Sequence, residues 1–251
     1  MLRVLALSGV VASIALAAAA APAPTARIED QVFEAANGFR ADNRLGALTS
    51  NPTLAAEARD FADYLVRTGK FSHTADGRNP GDRARAAGYD YCELAENLAY
   101  EADDSGFDAD RLTRVFISGW EASPGHRRNL LNSSVTETGV GVARLLGRGA
   151  DQKYVAVQVF GRPASMNYSF EVENRSADQV SYEFDGVSRQ VPPSSTMVET
   201  TCATGEIIFR RPGHSPTRYA TEPGARYVVD GAPGGPRLVV TRPRLPAVLP
   251  K

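Results

Sequence analysis

Four side chains in the first half of the chain are of types that bind metals or transfer protons: His73, Glu96, Glu121 and His126. Two imidazoles and two carboxylates suit a divalent ion such as Zn²⁺, which takes histidine nitrogen and carboxylate oxygen as ligands. The same groups could instead form an acid–base cluster in which the carboxylates hold the imidazole tautomers. A polar network that joins helices to a sheet is a third interpretation, and spacing alone leaves all three open.

Glu121 and His126 flank a predicted break between two helices. Ser123 followed by Pro124 is a strong helix-start signal, with serine as the cap and proline at the first helical position. Trp120, the one tryptophan of the chain, closes the preceding helical pattern. The side chains of Glu121 and His126 are therefore expected to face one cleft.

Helical patterns come first in this half of the chain, and strand patterns follow. The helical periods cover residues 28–40, 52–68 and 80–87 and return before Trp120. Residues 138–145 and 154–160 alternate as two strands joined by a Gly-rich hairpin. Helices followed by an antiparallel pair predict an α+β domain with helices on the sheet faces.

The second half of the chain loses the helical period after a linker at 161–165. Short alternating segments separated by Pro and Gly follow at 168–172, 180–184, 197–202, 206–210, 226–229 and 238–241. Such strands predict a small β-sandwich or partial barrel of roughly six or seven strands. We assign residues 166–245 to this domain and expect the 246–251 tail to be poorly ordered.

The N-terminus has the layout of a secretory signal. Arg3 precedes an apolar run from Val4 to Ala21, and several small-residue cleavage sites lie between Ala17 and Ala23. An uncleaved N-terminal anchor is the alternative, because the run reaches the lower limit of a membrane span. We assign residues 1–21 to a signal peptide and expect a secreted or periplasmic protein without a stable membrane span after cleavage.

Charge and cysteine content bound the partners and the compartment. The net charge is -1, from 28 Lys+Arg against 29 Asp+Glu, and no basic tract supports nucleic-acid binding. The two cysteines, Cys92 and Cys202, permit one disulfide that would link the two halves of the chain. Two unpaired buried thiols are the alternative.

Several motifs within residues 28–161, taken together, resemble the CAP superfamily (cysteine-rich secretory proteins, antigen 5 and pathogenesis-related 1; SCP domains). They arrive in the family's order: Asn37-Gly-Phe-Arg40, Leu54-Ala-Ala-Glu-Ala58, Phe71-Ser-His73, Glu96-Asn97-Leu98, the run from Trp120 to Leu131, and Gly139-Val-Gly141 before 154–160. The run from Trp120 is similar to the family's W-x-x-S-x-x-H-x-x-N-[IL] signature. The many-cysteine framework of animal and plant relatives is absent, so the chain resembles the bacterial branch.

The resemblance implies an α-β-α sandwich with helices on both faces of a small antiparallel sheet, followed here by the small all-β, sandwich-like domain. It makes His73, Glu96, Glu121 and His126 the tetrad of a central cleft. A divalent metal, with zinc as the example, would bind His73 and His126. The supporting residues are interpreted as structural: Asn97 and Asn129, with Ser123 as a helix cap.

We expect a monomeric, exported binding module for a divalent metal or for a polar or lipid ligand, a cell-wall component included. No nucleophile-elbow sequence surrounds Ser72 or Ser123. One alternative is a metal-dependent hydrolase, a peptidase or cell-wall enzyme, with Glu96 or Glu121 as general base. Another is an adhesion or wall-binding protein that acts through the β-domain, which a Cys92–Cys202 bond would hold near the cleft.

Overall fold

The computed structural model describes residues 24–103, 108–146, 152–202, 205–210, 215–232 and 235–241. The predicted signal peptide (1–21) and tail (246–251) lie outside the described residues and stay predictions. None of the described helices is both long enough and apolar enough to cross a membrane.

The helices described in the first domain are α1 (Pro24–Asp42), α2 (Pro52–Thr68), α3 (Pro80–Ala86), α4 (Ala109–Ala122) and α5 (Pro124–Leu130). The start of α2 follows from its sequence, because the Asn51 side chain accepts hydrogen bonds from the amides of Thr53 and Leu54 at 2.9 and 3.1 Å. Gly69 ends α2 in the left-handed conformation, with φ 66°. Both ends lie where the sequence predicts them.

The strands of the first domain are β1 (Thr49–Ser50), β2 (Tyr91–Asp103), β3 (Glu137–Leu146) and β4 (Gln152–Pro163). They form one four-stranded sheet in the order β1-β3-β4-β2. β2 and β3 pair antiparallel with β4, and β1 adds a short parallel pair beside β3. The β3–β4 pair is the one predicted from the sequence, whereas β2 places Glu96 on an edge strand that the pattern does not indicate.

Each face of this sheet carries its own apolar core. α1, α4 and α5 pack on one face around Phe116 and Trp120, which are both 1% exposed. α2 and α3 pack on the other face around Phe61 and Leu65. Because helices cover both faces, the predicted α-β-α sandwich is confirmed.

Two glycines of β3 allow α2 to approach the sheet closely. A Cβ on Gly139 would lie 2.2 Å from the backbone nitrogen of Ala55, and one on Gly141 would lie 2.1 Å from that of Arg59. No side chain larger than hydrogen fits at these distances without movement of the helix. The distance between α2 and β3 is therefore set by the absence of two side chains.

The strands of the second domain are β5 (Tyr168–Asn174), β6 (Val180–Phe184), β7 (Val187–Val191), β8 (Ser195–Thr201), β9 (Glu206–Phe209), β10 (Thr217–Ala220), β11 (Arg226–Ala232) and β12 (Gly235–Thr241). They form two four-stranded sheets, β10-β9-β6-β7 and β12-β11-β5-β8. Phe170 and Tyr227 of one sheet pack against Phe184 and Phe209 of the other. The predicted β-sandwich is thus confirmed.

The predicted number of six or seven strands is too low, because β7 and β10 are not indicated by the sequence. Both lie at sheet edges, and their side chains are largely exposed or half-buried. An edge strand that contributes few residues to the core lacks the apolar alternation on which strand prediction depends.

A disulfide between Cys92 and Cys202 joins the two domains, with the Cα atoms 5.6 Å apart across a sequence separation of 110. Of the two alternatives that the sequence leaves open, the disulfide is therefore confirmed and the pair of free thiols is excluded. Cys92 lies in β2, the strand that also carries Glu96. The β-domain is therefore attached beside the strand that carries a predicted site residue.

Candidate functional site

Most of the predicted site residues lie in β2, which forms one edge of the first sheet, or contact it. Two side chains satisfy backbone carbonyls of this strand. The amide of Asn129 donates to the carbonyl of Glu96 at 3.1 Å, and the indole N–H of Trp120 donates to that of Leu98 at 3.0 Å. An edge strand whose carbonyls are bonded in this way is a fixed platform for the side chains it carries.

Glu96 and His73 form a direct pair on this platform. His73 Nδ1 lies 2.7 Å from Glu96 Oε1. The Glu96 side chain is 1% exposed, whereas that of His73, in the loop between α2 and α3, is 48% exposed. Because a carboxylate only accepts, the proton of the neutral ring lies on Nδ1 and the Nε2 lone pair is left available.

Behind this pair lies a buried ion-pair cluster that the sequence interpretation missed. Arg83 donates from Nη2 to Glu96 Oε2 at 2.5 Å and from Nε to Glu57 Oε1 at 2.8 Å. Burial is the main cause that raises the pKa of Glu57, to about 7, while hydrogen bonding and the charge of Arg83 oppose it. The available signal was Glu57 itself, a charged residue within the apolar stripe of α2.

His126 lies in the first turn of α5, and its backbone contacts β2. Its backbone carbonyl accepts a hydrogen bond from the Asn97 side chain at 3.2 Å, and Asn97 in turn accepts from Asn129 at 2.9 Å. Burial, and next the charge of His73, lower the pKa of His126. The ring of His126 is thus disposed to stay neutral.

Glu121 and Ser123 stand apart from these contacts. The Glu121 carboxylate is half-buried and makes no hydrogen bond or ion pair within the described part of the chain. Ser123 occupies the N-cap position of α5, but its side chain makes no capping hydrogen bond. The predicted N-cap position of Ser123 is therefore confirmed, whereas a capping hydrogen bond from its side chain is absent; its backbone carbonyl accepts the first helical hydrogen bond, from the Arg127 amide at 2.8 Å.

An apolar groove of about 840 Å³ opens beside His126. Its lining is drawn from the end of α2, from β2, from α4 and from the β3–β4 strands. The apolar side chains of this lining are Leu65, Val66, Phe71, Leu98, Tyr100, Val115, Phe116, Trp120, Leu145 and Val155. Of the four predicted cleft residues, His126 belongs to this lining, whereas His73, Glu96 and Glu121 do not.

A metal ion at His73 and His126 is a prediction that the described residues do not test. Among residues 24–103, 108–146 and the other described segments, no three His, Cys, Asp or Glu side chains are arranged to hold an ion. Glu96 is occupied by His73 and Arg83. The described side chains therefore do not fit a closed structural site.

The fold and the site together define a class of protein: an α-β-α sandwich with a carboxylate–histidine pair on its edge strand, extended by a disulfide-linked β-sandwich. The model of the cysteine-rich secretory protein family, CAP, matches residues 33–160. The chain belongs to this family.

Two relatives of this chain come from Bacillus subtilis. The chain is 30% identical over 117 residues to "Uncharacterized membrane protein YlbC" and 28% identical over 122 residues to "Uncharacterized protein YkwD". These matches cover 46% and 48% of this chain and 32% and 44% of the two relatives. The chain thus spans less than half the length of either relative.

Two solved structures that match part of the chain also come from bacteria. An extracellular protein containing a SCP domain from Bacillus anthracis is 25% identical with a TM-score of 0.45, over 55% of this chain and 41% of that one. An outer surface protein from Borrelia burgdorferi is 22% identical with a TM-score of 0.44, over 54% of this chain and 92% of that one.

Proposed function

We propose that the protein is an exported binding protein whose apolar groove takes an amphiphilic molecule with an acidic headgroup. The groove carries the proposal, because its volume of about 840 Å³ lies within the range of roughly 300–1,000 Å³ usual for ligand pockets. The Cys92–Cys202 bond and the signal-like N-terminus support export, since disulfides persist in oxidising compartments. We place the protein outside the cytoplasm, secreted or periplasmic.

Two exposed aromatic rings support an apolar ligand. Phe71 and Tyr100 both line the groove and are 50% and 45% exposed. Their ring centroids lie 6.1 Å apart in an edge-to-face contact. Adjacent apolar rings that the fold leaves uncovered are typical of a surface that binds an apolar group.

The charges of the lining support an acidic headgroup. Arg67, Lys70 and Lys153 line the groove together with His126, and Glu101 is the acidic residue among them. Burial raises the pKa of Glu101, which weakens its negative charge. An excess of positive charge around an apolar lining favours a carboxylate, phosphate or sulfate head on an apolar chain.

Gly119→Phe is expected to abolish this binding while the fold is retained. Gly119 lies in α4 on the groove lining, and no heavy atom lies within 4 Å of a Cβ built there. The phenyl ring would therefore project into free space of the groove. We expect the Kd of a dansylated undecanoic acid, measured by fluorescence titration, to rise about ten-fold or more, which corresponds to roughly 1.4 kcal/mol.

Gly46→Phe is the matched control, because a Cβ at Gly46 also meets nothing within 4 Å and Gly46 does not line the groove. This variant should bind the probe like the wild type. The corresponding dansylated alcohol should bind the wild type more weakly than the acid. A wild type that fails to bind the acid, or a Gly119→Phe variant with unchanged affinity, would contradict the proposed groove ligand.

A divalent ion at His73 and His126 is the second candidate, and the hydrogen bond from His73 Nδ1 to Glu96 is the observation that favours it. This bond leaves the Nε2 lone pair free to bind a metal. It is the arrangement in which a carboxylate orients a metal-binding histidine. The lowered pKa of His126 keeps its ring in the neutral form that a metal requires. When bound, the ion would act as a Lewis acid toward a polar ligand.

Replacing both His73 and His126 by alanine is expected to weaken zinc binding by roughly 100-fold or more, because both proposed donors are removed. The measurement is a calorimetric zinc titration of the exported protein. His214→Ala is the control, since it removes the remaining one of the 3 histidines and should leave the affinity unchanged. Equal zinc affinity in the wild type and the double variant would remove the metal proposal.

A further inference from the structure

Arg83 is almost fully buried, and its N–H groups donate hydrogen bonds to residues of the candidate site. Its side chain is 3% exposed, and its guanidinium carbon lies 3.4 Å from the centroid of the Phe61 ring. A guanidinium offers donors in a rigid planar fork, so the groups it binds are fixed relative to one another. Its partners therefore show what this residue holds in place.

Arg83 binds both halves of the His73–Glu96 pair. Its Nη2 donates to the Glu96 carboxylate at 2.5 Å, and its Nη1 donates to the backbone carbonyl of His73 at 2.9 Å. The same Nη1 also contacts Asp76 Oδ1 and the carbonyl of Arg78, both at 3.1 Å. One rigid group thus sets the distance between the loop that carries His73 and the strand that carries Glu96.

Glu57 binds the remaining nitrogen of the guanidinium, Nε. Its Oε1 accepts from Arg83 Nε at 2.8 Å, and the residue is 5% exposed. Its other oxygen, Oε2, is buried and has no hydrogen-bond partner among the described residues. The carboxylate is thus held in the core with half of its hydrogen-bonding capacity unused, and its one bonded partner is Arg83.

We propose that Arg83, anchored to α2 by Glu57, is a positioning residue that holds the His73 ring in its Nδ1-protonated form against Glu96. Its importance for ligand binding rests on the proposed function, whereas the positioning itself does not. A buried ion pair is poor evidence for a stabilising role, because desolvation offsets much of the attraction. The joint engagement of the Glu96 carboxylate and the His73 carbonyl is what points to positioning.

Arg83→Lys tests this role. A lysine ammonium keeps the charge but lacks the planar fork, so it cannot hold Glu96, Glu57 and the His73 loop in the same arrangement. The readout is the tautomer of His73 in long-range ¹H–¹⁵N spectra, recorded at a pH where the ring is neutral and assigned with His73→Gln. We expect the Nδ1-protonated fraction to be dominant in the wild type and to fall by roughly two-fold or more in the variant.

Arg59→Lys is the matched control. Arg59 lies in α2 and, like Arg83, pairs with a buried carboxylate, in this case Glu29 at 2.7 Å, but it has no contact with His73 or Glu96. Its variant should keep the wild-type tautomer. An unchanged tautomer in folded Arg83→Lys would overturn the proposal, and so would an equal change in Arg59→Lys, since the effect would then be general.

If Arg83→Lys shows no cooperative thermal unfolding, Glu57→Gln decides the question. It removes the charge that anchors the guanidinium while it keeps the volume, so a smaller fall in the Nδ1-protonated fraction supports positioning and an unchanged fraction overturns it. Zinc titrations of the same variants are interpreted separately. A tautomer change in a protein that binds no zinc would reject the metal site and leave the positioning role intact.

Discussion

Gly141→Ala is expected to destabilise the first domain by about 3 kcal/mol. The new Cβ would lie 2.1 Å from the Arg59 nitrogen and 2.2 Å from the Ala58 carbonyl carbon, both backbone atoms of α2. Because no flexible side chain can yield there, the helix as a whole has to move away from β3. Such a movement opens the core of Phe61 and Leu65 and costs packing along the whole contact.

Denaturant unfolding followed by tryptophan fluorescence measures this effect, because Trp120, the one tryptophan of the chain, is 1% exposed in the core of the first domain. Gly119→Ala is the matched control. Its Cβ meets nothing within 4 Å, and a helical position gains about 0.5–1 kcal/mol when glycine becomes alanine. Equal stability of Gly141→Ala and the wild type would show that α2 adapts, and the close approach would not be decisive.

The positions of the helices could be predicted because their signals are local. A cap residue followed by proline marks the starts of α2 and α3, and Gly69 marks the end of α2. The strands β3 and β4 are also marked by their own short strand patterns. These features depend on neighbours within a few residues, which the sequence displays directly.

β2 could not be predicted, because both of its faces carry polar residues. Glu96 points toward Arg83 on one face, and Asn97 toward Asn129 and α5 on the other. Each is buried only because a distant residue supplies its hydrogen-bond partner. Alternation of apolar and polar residues, on which strand prediction rests, is lost where tertiary partners satisfy buried polar groups.

The candidate site could be predicted in outline from motif resemblance, but its inner partners could not. His73 and Glu96 stand in recognisable motifs, whereas Arg83 lies in a short helix whose sequence has the character of a solvent-exposed one. The apolar groove is assembled from α2, β2, α4 and the β3–β4 strands. A surface built from so many separate segments leaves no contiguous pattern in the sequence.

Removing the bond between domains, as Cys92→Ser/Cys202→Ser, is expected to cost about 2–4 kcal/mol and to free the β-domain from the first domain. The bond closes a loop with a sequence separation of 110, and long loops lose the most chain entropy when they are closed. The described contacts that also join the domains lie next to the linker, such as Ala164 N to Asp90 O at 3.0 Å. Cys202 follows Thr201, which pairs with Tyr168 at the start of β5, so the disulfide and the linker contacts hold the same end of the β-domain.

Limited digestion with proteinase K, a protease of broad specificity, and thermal unfolding measure this release together. We expect the double variant to be cleaved faster within the linker at 161–165 and to unfold at a lower temperature, and the wild type in reductant should reproduce both changes. Since Cys92 and Glu96 share β2, the His73 tautomer reports whether release reaches the site. An unchanged cleavage rate and Tm would mean that the linker contacts alone fix the β-domain, and the disulfide would then contribute nothing to its placement beside the edge strand.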